Sequence, residues 1–498
     1  MKIIQQSKGI ENLSELDFIE GKSASLVDIY TRFLQQFNLG RINKLLESCK
    51  GRGVDPKSVF QVLFMLSFAS LSNIRSLMRS GYSSQLAGKK DVYYSFLSNP
   101  EIAWRKILTL FARQFISLVK RNSVDGDNDC PRCLIIDDST LDKCGKKIEF
   151  IGKVFDHCSH SYKLGMKLLA LGFWDGKSFI PIDFSIHNEP GKKKNRGLKS
   201  VELKKQYSKK RNPEVAVQER IGEISKSKIE VALEMIKRAV KNGFTPKYIL
   251  ADSWFITDHI IKSVVTMKRR IAESIHIIGL MKTNRIITLN NKRYRASKIP
   301  ELKRKQIKKC TKLKCFYIPL TIAYKGTRLK AFFVRMNGQQ NWKLLITTDS
   351  SLSFIKAMQY YQIRWSIEVF FKDTKQNLLL GKCQSTDFDA HIATTSIIFM
   401  NYILLALNKR FQSYESVGEI FKAFKNKILE DTIIVKVWEI IVNIYTKILA
   451  DLGVDWDFFI RQVINQIVNK QLIKSAFTTL FQPEQNLNPQ FNQIISET

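Results

Sequence analysis

Acidic residues are scarce in this sequence relative to basic ones. The chain has 45 Asp and Glu against 80 Lys and Arg, which leaves a formal net charge of +35. Self-repulsion of that size opposes a compact fold unless a polyanion neutralises it. The imbalance therefore points to an anionic partner, with nucleic acid as the first candidate and an anionic membrane surface as the second.

Long hydrophobic runs and a cysteine framework are also missing. The most apolar stretches, 59–69 and 396–407, are shorter than the roughly 18 to 20 residues that cross a bilayer, so we expect buried helices and no membrane partner. The N-terminal segment has no apolar core of a signal peptide. Eight irregularly placed cysteines favour a reducing compartment over a disulfide scaffold. These features together predict a cytoplasmic protein.

A zinc site is not predicted, although cysteines and histidines cluster in one region. Cys130 and Cys133 form a single CxxC, and the residues that follow it within reach are Cys144, His157, Cys158 and His160. There is no second CxxC and no finger-type pair of histidines. Cys133 also begins an apolar run, which favours a packing role.

Hydrophobic periodicity divides the 498 residues into regions, enough for about three domains. Residues 1–125 have helical spacing, and the polar stretch 122–131 marks a boundary. Beyond it, strand patterns occur at 133–140, 167–176 and 247–254, a β-rich segment covers 270–348, and helical patterns cover about 225–242, 352–377 and most of 391–475. The pattern predicts an α/β protein with a helical head and a helical tail.

Two of the predicted strands end in acids. Asp137 and Asp138 follow one apolar run, and Asp252 follows another. Functional groups gather at strand ends in open α/β sheets, so these acids could converge. Carboxylates that converge repel one another unless they share a cation such as Mg²⁺. Ordinary turn or capping acids are the alternative interpretation.

Four polar side chains share one face of the helix predicted at 352–377. Tyr361, Arg364, Glu368 and Lys375 fall within roughly 60° of one another at 100° per residue. Such a stripe is either one side of a functional site or a solvated face whose Arg–Glu pair contributes a few tenths of a kcal/mol.

The same four residues carry a family resemblance. Their spacing, Tyr-x2-Arg-x3-Glu-x6-Lys, matches the YREK signature of bacterial DDE transposases of the insertion-sequence-four type. The segments IIDDST and LADSWF resemble the first and second catalytic-aspartate motifs of that family. The motifs also occur in the family's order, with the β-rich segment between the second aspartate and the glutamate.

The resemblance implies an α/β fold: an RNase H-like mixed-sheet catalytic core interrupted by a β-rich insertion, with helical N-terminal and C-terminal regions. The expected divisions are a DNA-binding region at 1–125, the core at 130–265 and 349–390, the insertion at 266–348, and a C-terminal region at 391–498 that serves dimerisation.

The resemblance also implies a catalytic set and a cofactor. Asp137, Asp252 and Glu368 would bind two divalent ions, Mg²⁺ or Mn²⁺, for in-line displacement at phosphorus. Asp138 stays open as an alternative first acid, because a hydroxyl residue lies two positions beyond each aspartate. Asp137 is preferred because it directly follows the apolar strand.

DNA contacts are expected on three kinds of residue. By resemblance, the family's phosphate-binding positions are Tyr361, Arg364 and Lys375, and an aromatic in the insertion holds a flipped base. Trp342 and Trp254 are the candidates for that aromatic, with ordinary packing as the alternative. The basic runs 192–211, with Lys192, Lys193 and Lys194, and 303–314 are expected to contact phosphates without reading sequence.

The function implied is cut-and-paste transposition. The protein would cleave at transposon ends and transfer the 3′-hydroxyl into target DNA, as a homodimer on double-stranded DNA at the bacterial nucleoid. Two alternatives stay open: an RNase H-like nuclease that only hydrolyses DNA, and a domesticated DNA-binding protein without catalysis. The complete Asp, Asp and Glu set argues against the second.

Overall fold

The part of the chain that the structure describes is nearly continuous through the centre of the sequence. The computed structural model describes residues 37–411 except 50–52, 70, 81, 84–85, 123–129, 190–195 and 268–274, together with Tyr30, Leu34 and short pieces between 416 and 426. Residues 25–426 form one compact unit, and the remaining residues, 1–24 and 427–498, lie outside the described part.

The first region is helical, as its periodicity predicts. Its described helices are α1 (Gly40–Glu47), α2 (Pro56–Met65), α3 (Ile74–Met78), α4 (Lys90–Leu97) and α5 (Trp104–Asn122). Helix α2 begins where Asp55 accepts a hydrogen bond from the Lys57 amide and Pro56 takes the first helical position. Phe60, Phe64 and Phe111 are fully buried, so aromatic packing joins these helices into one core.

One mixed sheet contains every described strand. The strands are β1 (Cys133–Asp142), β2 (Gly152–Asp156), β3 (Ser161–Trp174), β4 (Phe179–His187), β5 (Tyr248–Ala251), β6 (His276–Met281), β7 (Ile286–Leu289), β8 (Lys292–Arg295), β9 (Lys308–Cys310), β10 (Cys315–Tyr324), β11 (Thr327–Met336) and β12 (Lys343–Thr347). Their order is β2-β3-β1-β5-β6-β12-β11-β10-β7-β8, with β4 beside β3 and β9 beside β10. The β-rich segment 270–348 therefore continues the same sheet from β6 onward.

Strands β1, β5 and β6 run parallel to one another, and the other described pairings are antiparallel. The first four residues of β1 and all of β5 are buried, as expected for strands covered on both faces. Ile136 pairs with Ala251, so the chain reaches Asp137 and Asp252 at the same level of the sheet. This confirms that the two acid-bearing strands are neighbours.

The remaining described helices lie between the later strands and after the last one. They are α6 (Ser200–Lys204), α7 (Gln218–Ile224), α8 (Lys228–Lys241), α9 (Asp258–Thr266), α10 (Ile299–Leu302), α11 (Phe354–Gln362), α12 (Trp365–Gln376) and α13 (Phe388–Phe411). Helix α8 begins with a capping box between Ser227 and Glu230, and it confirms the helix expected at about 225–242. The result is a mixed α/β protein, as predicted.

The prediction of one continuous helix over 352–377 is wrong. Helix α11 ends at Gln362 and α12 begins at Trp365. Between them, the amides of Arg364 and Ile367 donate to carbonyls three residues earlier, at N···O distances of 3.1 and 3.2 Å. These are 3₁₀-type bonds, which tighten the turn and separate two helical segments. Sequence periodicity does not reveal such a break, because neither glycine nor proline marks it.

Helix α13 is the longest described helix, and much of it is apolar. Its segment Phe388–Arg410 has 23 residues, and the most apolar window within it has a mean hydropathy of 1.6 and is 94% buried. The argument from short length is therefore wrong for this element, since the helix extends well beyond 396–407. The helix packs against β4 and α5 and is a buried helix of the protein core, as the sequence predicted.

Candidate active site

Asp137 and Asp252 lie at the edge of the sheet where β5 ends. Asp137 lies within β1, and Asp252 directly follows β5, which pairs with β1 in parallel. The two carboxyl groups are close enough that Asp252 raises the pKa of Asp137. Parallel pairing of β5 with the buried first half of β1 therefore produces the convergence that the sequence predicted.

Arg364 joins two of the predicted catalytic acids. Its Nη1 lies 3.1 Å from Asp137 Oδ2, and its Nη2 lies 2.5 Å from Glu368 Oε1. The Asp137 and Arg364 side chains are 19% and 14% exposed, so the pair lies below the surface. Asp137 Oδ1 accepts a hydrogen bond from the Asp138 amide at 2.8 Å. Both oxygens of Asp137 are therefore held.

The carboxyl group of Asp137 has an unusual electrostatic environment. Its pKa is raised to about 7, chiefly by burial and to a smaller extent by the negative charges of Asp138 and Asp252, while the Arg364 guanidinium and the Asp138 amide keep the pKa from rising further. Loss of the positive charge beside this carboxyl group would therefore favour its protonated form.

Asp137 and Asp138 point to opposite faces of the sheet, because side chains alternate along a strand. Asp137 contacts Arg364, and Ser139 Oγ lies 2.7 Å from Lys375 Nζ. Asp138 instead lies 2.5 Å from Lys228 Nζ, on the other face. Asp137 is thus on the side of the four-residue stripe, and Asp138 is not.

Tyr361 completes the stripe beside Arg364. The Arg364 guanidinium lies 5.7 Å from the centre of the Tyr361 ring, within cation–π range. Burial raises the pKa of Tyr361 to about 12, and the nearby Asp252 and Asp137 carboxylates also act to raise it. Tyr361, Arg364 and Glu368 therefore lie beside Asp137 despite the break between α11 and α12, and Lys375 contacts Ser139 on the same face of β1.

Lys228 is a site residue that the sequence did not identify. Its Nζ lies 2.5 Å from Asp138 Oδ2, 3.4 Å from Glu189 Oε1 and 4.7 Å from the centre of the Trp254 ring. It therefore connects β1, the residues after β4 and the loop after Asp252. One signal was present: a lysine as the first residue of α8 is unfavourable for the helix dipole, which suggests a role in tertiary contacts.

The first basic run, residues 192–211, only partly matches the prediction that its side chains are available to contact phosphates. Lys192, Lys193 and Lys194 lie outside the described residues. Further along the run, Lys209 Nζ is 2.9 Å from both Asp387 and Asp389.

Arg211 is held in the same way as Lys209. It is 4% exposed and lies 2.6 Å from Glu149 and 3.0 Å from Asp389. The phosphate-contact interpretation is wrong for Lys209 and Arg211, because ion pairs inside the protein hold both side chains.

Trp342 lies at the same end of the sheet as the aspartates. Strand β12 runs antiparallel to β6, and Leu344 pairs with Met281, so Trp342 precedes β12 at the end where β5 and β6 finish. Its ring lies 5.0 Å from the Arg335 guanidinium. Trp254 is 38% exposed and stacks on Lys228. Both aromatics therefore already have cationic partners.

The predicted metal ligands are carboxylates, which suit hard divalent cations. In the structure, however, the described carboxylates do not surround a position for such a cation. No group of three His, Cys, Asp or Glu side chains in the described part of the chain is placed to hold a metal ion. Asp137 and Glu368 nevertheless surround one cationic group, the Arg364 guanidinium, and Asp252 is next to them. Carboxylate oxygens are the ligands that Mg²⁺ and Mn²⁺ prefer. The residues therefore fit a divalent cation if Arg364 moves.

An apolar cavity elsewhere in the protein is separate from this group. A cavity of about 1110 Å³ lies between α2, α3, α4 and α13 and the segment 378–387. None of Asp137, Asp252 and Glu368 lines it.

Comparison with family models gives two overlapping matches. Residues 74–271 match a DDE superfamily endonuclease, and residues 223–404 match a transposase DDE domain. The first range includes Asp137 and Asp252, and the second includes Asp252 and Glu368. A comparison with curated proteins gave no match. Families of this kind generally use divalent metal ions and act on DNA. The two matches support a DDE transposase family, and with it a nuclease-type enzyme, for this chain.

Proposed function

We propose that the protein is a cut-and-paste DNA transposase of the insertion-sequence-four type with an RNase H-like core. The observation that carries the proposal is the position of Asp137 and Glu368 around one guanidinium, at the sheet edge where Asp252 also lies. Acids that are far apart in sequence meet there in the order of the family's motifs.

The three acids have one role in this proposal. Asp137, Asp252 and Glu368 would hold divalent ions, and such ions would supply Lewis-acid activation for an in-line displacement at phosphorus. Arg364 and Lys375, with Tyr361, orient the phosphates beside the scissile bond. The helical region 1–125 would bind transposon ends, and 391–498 would join two subunits.

The test of the proposed function is a reaction on DNA that contains the gene with its flanking sequence. With Mg²⁺ or Mn²⁺, the purified protein should cut at the ends of the element and join the freed 3′-hydroxyl to a target plasmid. Gel analysis of both products separates the alternatives: cutting without joining indicates a nuclease, and binding without cutting indicates a DNA-binding protein.

The two neighbouring aspartates should differ sharply in this reaction. Asp137→Asn should reduce cleavage by roughly 10³-fold, because it removes an acid on the side of Glu368. Asp138→Asn should retain most cleavage and lose thermal stability, because Asp138 pairs with Lys228 on the other face. Initial rates and melting temperatures of both variants check this. A severe loss in Asp138→Asn with full activity in Asp137→Asn would reverse the assignment.

The exposed lysines of the first basic run bind phosphates in the proposal. Lys204, Lys205 and Lys210 are exposed. Changing all three to Gln should weaken binding to every DNA sequence alike and reduce the log–log salt slope by roughly 0.9 for each phosphate that is no longer neutralised. Fluorescence anisotropy at several salt concentrations measures the slope.

A matched control for those lysines lies in the same run. Lys209→Met removes a lysine that is paired with Asp387 and Asp389. It should destabilise the protein and leave the salt slope unchanged. A slope unaltered by the triple Gln variant would remove this run from the DNA-binding surface; Lys192, Lys193 and Lys194 would then be changed in the same assay.

A further inference from the structure

The Arg364 guanidinium uses the oxygens that a metal ion would need. Of the two Asp137 oxygens, Oδ1 accepts the Asp138 amide and Oδ2 is held by Arg364 at 3.1 Å. Arg364 also holds Glu368 Oε1. A cation that coordinates Asp137 Oδ2 would come within contact distance of the guanidinium, and two like charges so close repel strongly. Arg364 and a divalent ion therefore exclude each other at this position.

The backbone and the neighbours of Arg364 give its side chain contacts that do not depend on the carboxylates. Arg364 lies in the 3₁₀-type turn between α11 and α12, where short helical elements often mark a hinge. The Tyr361 ring, 5.7 Å away, offers a cation–π contact. The Tyr361 hydroxyl is buried, and the Arg364 guanidinium acts on it, lowering its pKa against the effect of burial. Tyr361 can therefore hold the guanidinium when a cation takes the carboxylates.

We propose that Arg364 is an internal counter-ion that neutralises Asp137 and Glu368 and is displaced when a divalent cation binds them, which frees its guanidinium for a DNA phosphate. The inference rests on the proposed function, because it takes these carboxylates as metal ligands. It adds a coupling between cation binding and phosphate binding through one side chain. A guanidinium is suited to both states, since its planar fork binds carboxylates and phosphates alike.

The first test is the affinity of the full-length protein for Mn²⁺ without DNA, measured from the electron paramagnetic resonance signal of free Mn²⁺. Arg364→Ala should bind Mn²⁺ roughly tenfold more tightly than wild type, because the ion no longer displaces a charge-assisted hydrogen bond. Arg364→Lys should fall between the two. Lys375→Ala is the matched control and should stay near the wild-type value, because Lys375 bonds Ser139 and not a carboxylate.

Thermal stability gives a second readout of the same exchange. Without Mn²⁺, Arg364→Ala should melt below wild type, because two carboxylates lose their counter-ion. Saturating Mn²⁺ should raise its melting temperature by more than it raises that of wild type, since tighter binding to the folded state stabilises it further.

DNA affinity tests the coupling itself, with Ca²⁺ as an oxygen-liganded probe. Ca²⁺ should tighten binding of a labelled duplex more in wild type than in Arg364→Ala, because coupling between two ligands is reciprocal.

The outcomes separate this inference from the proposed function. Unchanged or weaker Mn²⁺ binding in Arg364→Ala would overturn the displacement, even if Glu368→Ala and Asp137→Ala lose Mn²⁺ binding as the proposed function requires. If those two acid variants bind Mn²⁺ as wild type does, the proposed metal site itself is wrong. Equal effects of Ca²⁺ on DNA binding in wild type and Arg364→Ala would overturn the coupling.

Discussion

Glu368→Ala is expected to abolish metal-dependent cleavage and joining while the protein still binds DNA. The substitution removes a proposed metal ligand, and losing roughly 4 kcal/mol of transition-state stabilisation lowers the rate about 10³-fold. Binding to transposon-end DNA should be equal or slightly tighter, because a negative charge near the phosphates disappears. Single-turnover cleavage rates and anisotropy on the same DNA measure the two effects separately.

Two controls keep this prediction specific. Glu368→Gln keeps the size of the side chain and removes its charge, so it should lose activity without a packing defect. Glu301→Ala removes an exposed glutamate of α10 and should behave as wild type. Cleavage by Glu368→Ala at a rate near wild type would remove Glu368 from the proposed metal site, whatever its DNA affinity.

The positions of the acids could be predicted from sequence because they depend on local pattern. Apolar runs of β-branched residues identify buried strands, and parallel neighbours end at one edge, so Asp137 and Asp252 were expected together. Helical periodicity likewise placed Arg364 and Glu368 on one face. These inferences need only the period of each element and the order of the strands.

The partners of charged side chains could not be predicted in the same way. Arg364 pairs with Asp137, which is 227 residues away, and Lys209 pairs with Asp389, which is 180 residues away. Periodicity tells which face a residue occupies and not which element packs against it. The sequence therefore assigned Arg364 only to phosphates and placed Lys209 in a surface loop. The tight turn after Gln362 was missed for a related reason. No glycine or proline marks the turn, and its position depends on tertiary contacts.

Other long-range pairs bear on the proposed chemistry, because they hold the end of the sheet that carries the acids. Lys228 holds Asp138, the neighbour of Asp137, and stacks on Trp254, two residues after Asp252. Helix α8 carries Lys228 at its first turn and Arg238 near its end. Arg238 in turn bonds Asp183 of β4. We therefore expect the placement of the acids to depend on the buried ion pairs of Asp183 at the far end of α8.

Asp183→Asn is expected to destabilise the protein by about 3 to 5 kcal/mol, the usual cost of removing one partner from a buried ion pair. Asp183 is 6% exposed, and its oxygens lie 3.0 Å from Arg220 Nη1 and 2.9 Å from Arg238 Nη2. Arg220 is 2% exposed, so it cannot turn to water without disturbing the core. Urea unfolding of the full-length variant at pH 7, followed by tryptophan fluorescence, measures the loss.

The pH dependence of that loss has a definite sign. Burial would raise the pKa of Asp183, but Arg220, Arg105 and Arg238 outweigh it and hold the pKa below its usual value. The ionised carboxylate therefore stabilises the fold fully above the unfolded pKa of about 3.9, and this stabilisation is lost as the pH falls through the folded pKa. The difference between wild type and Asp183→Asn should be constant from pH 6 to 8 and shrink only in acid.

Glu234→Gln is the matched control for Asp183→Asn, because Glu234 also contacts Arg238 but is 38% exposed. Exposed ion pairs contribute at most about 1 kcal/mol, so Glu234→Gln should change the free energy of unfolding very little. If Asp183→Asn cost no more than Glu234→Gln, the buried charge group would not fix α8 to β4. Lys228 would then need another support, and the sheet edge that carries Asp137 and Asp252 would have to be held by strand pairing alone.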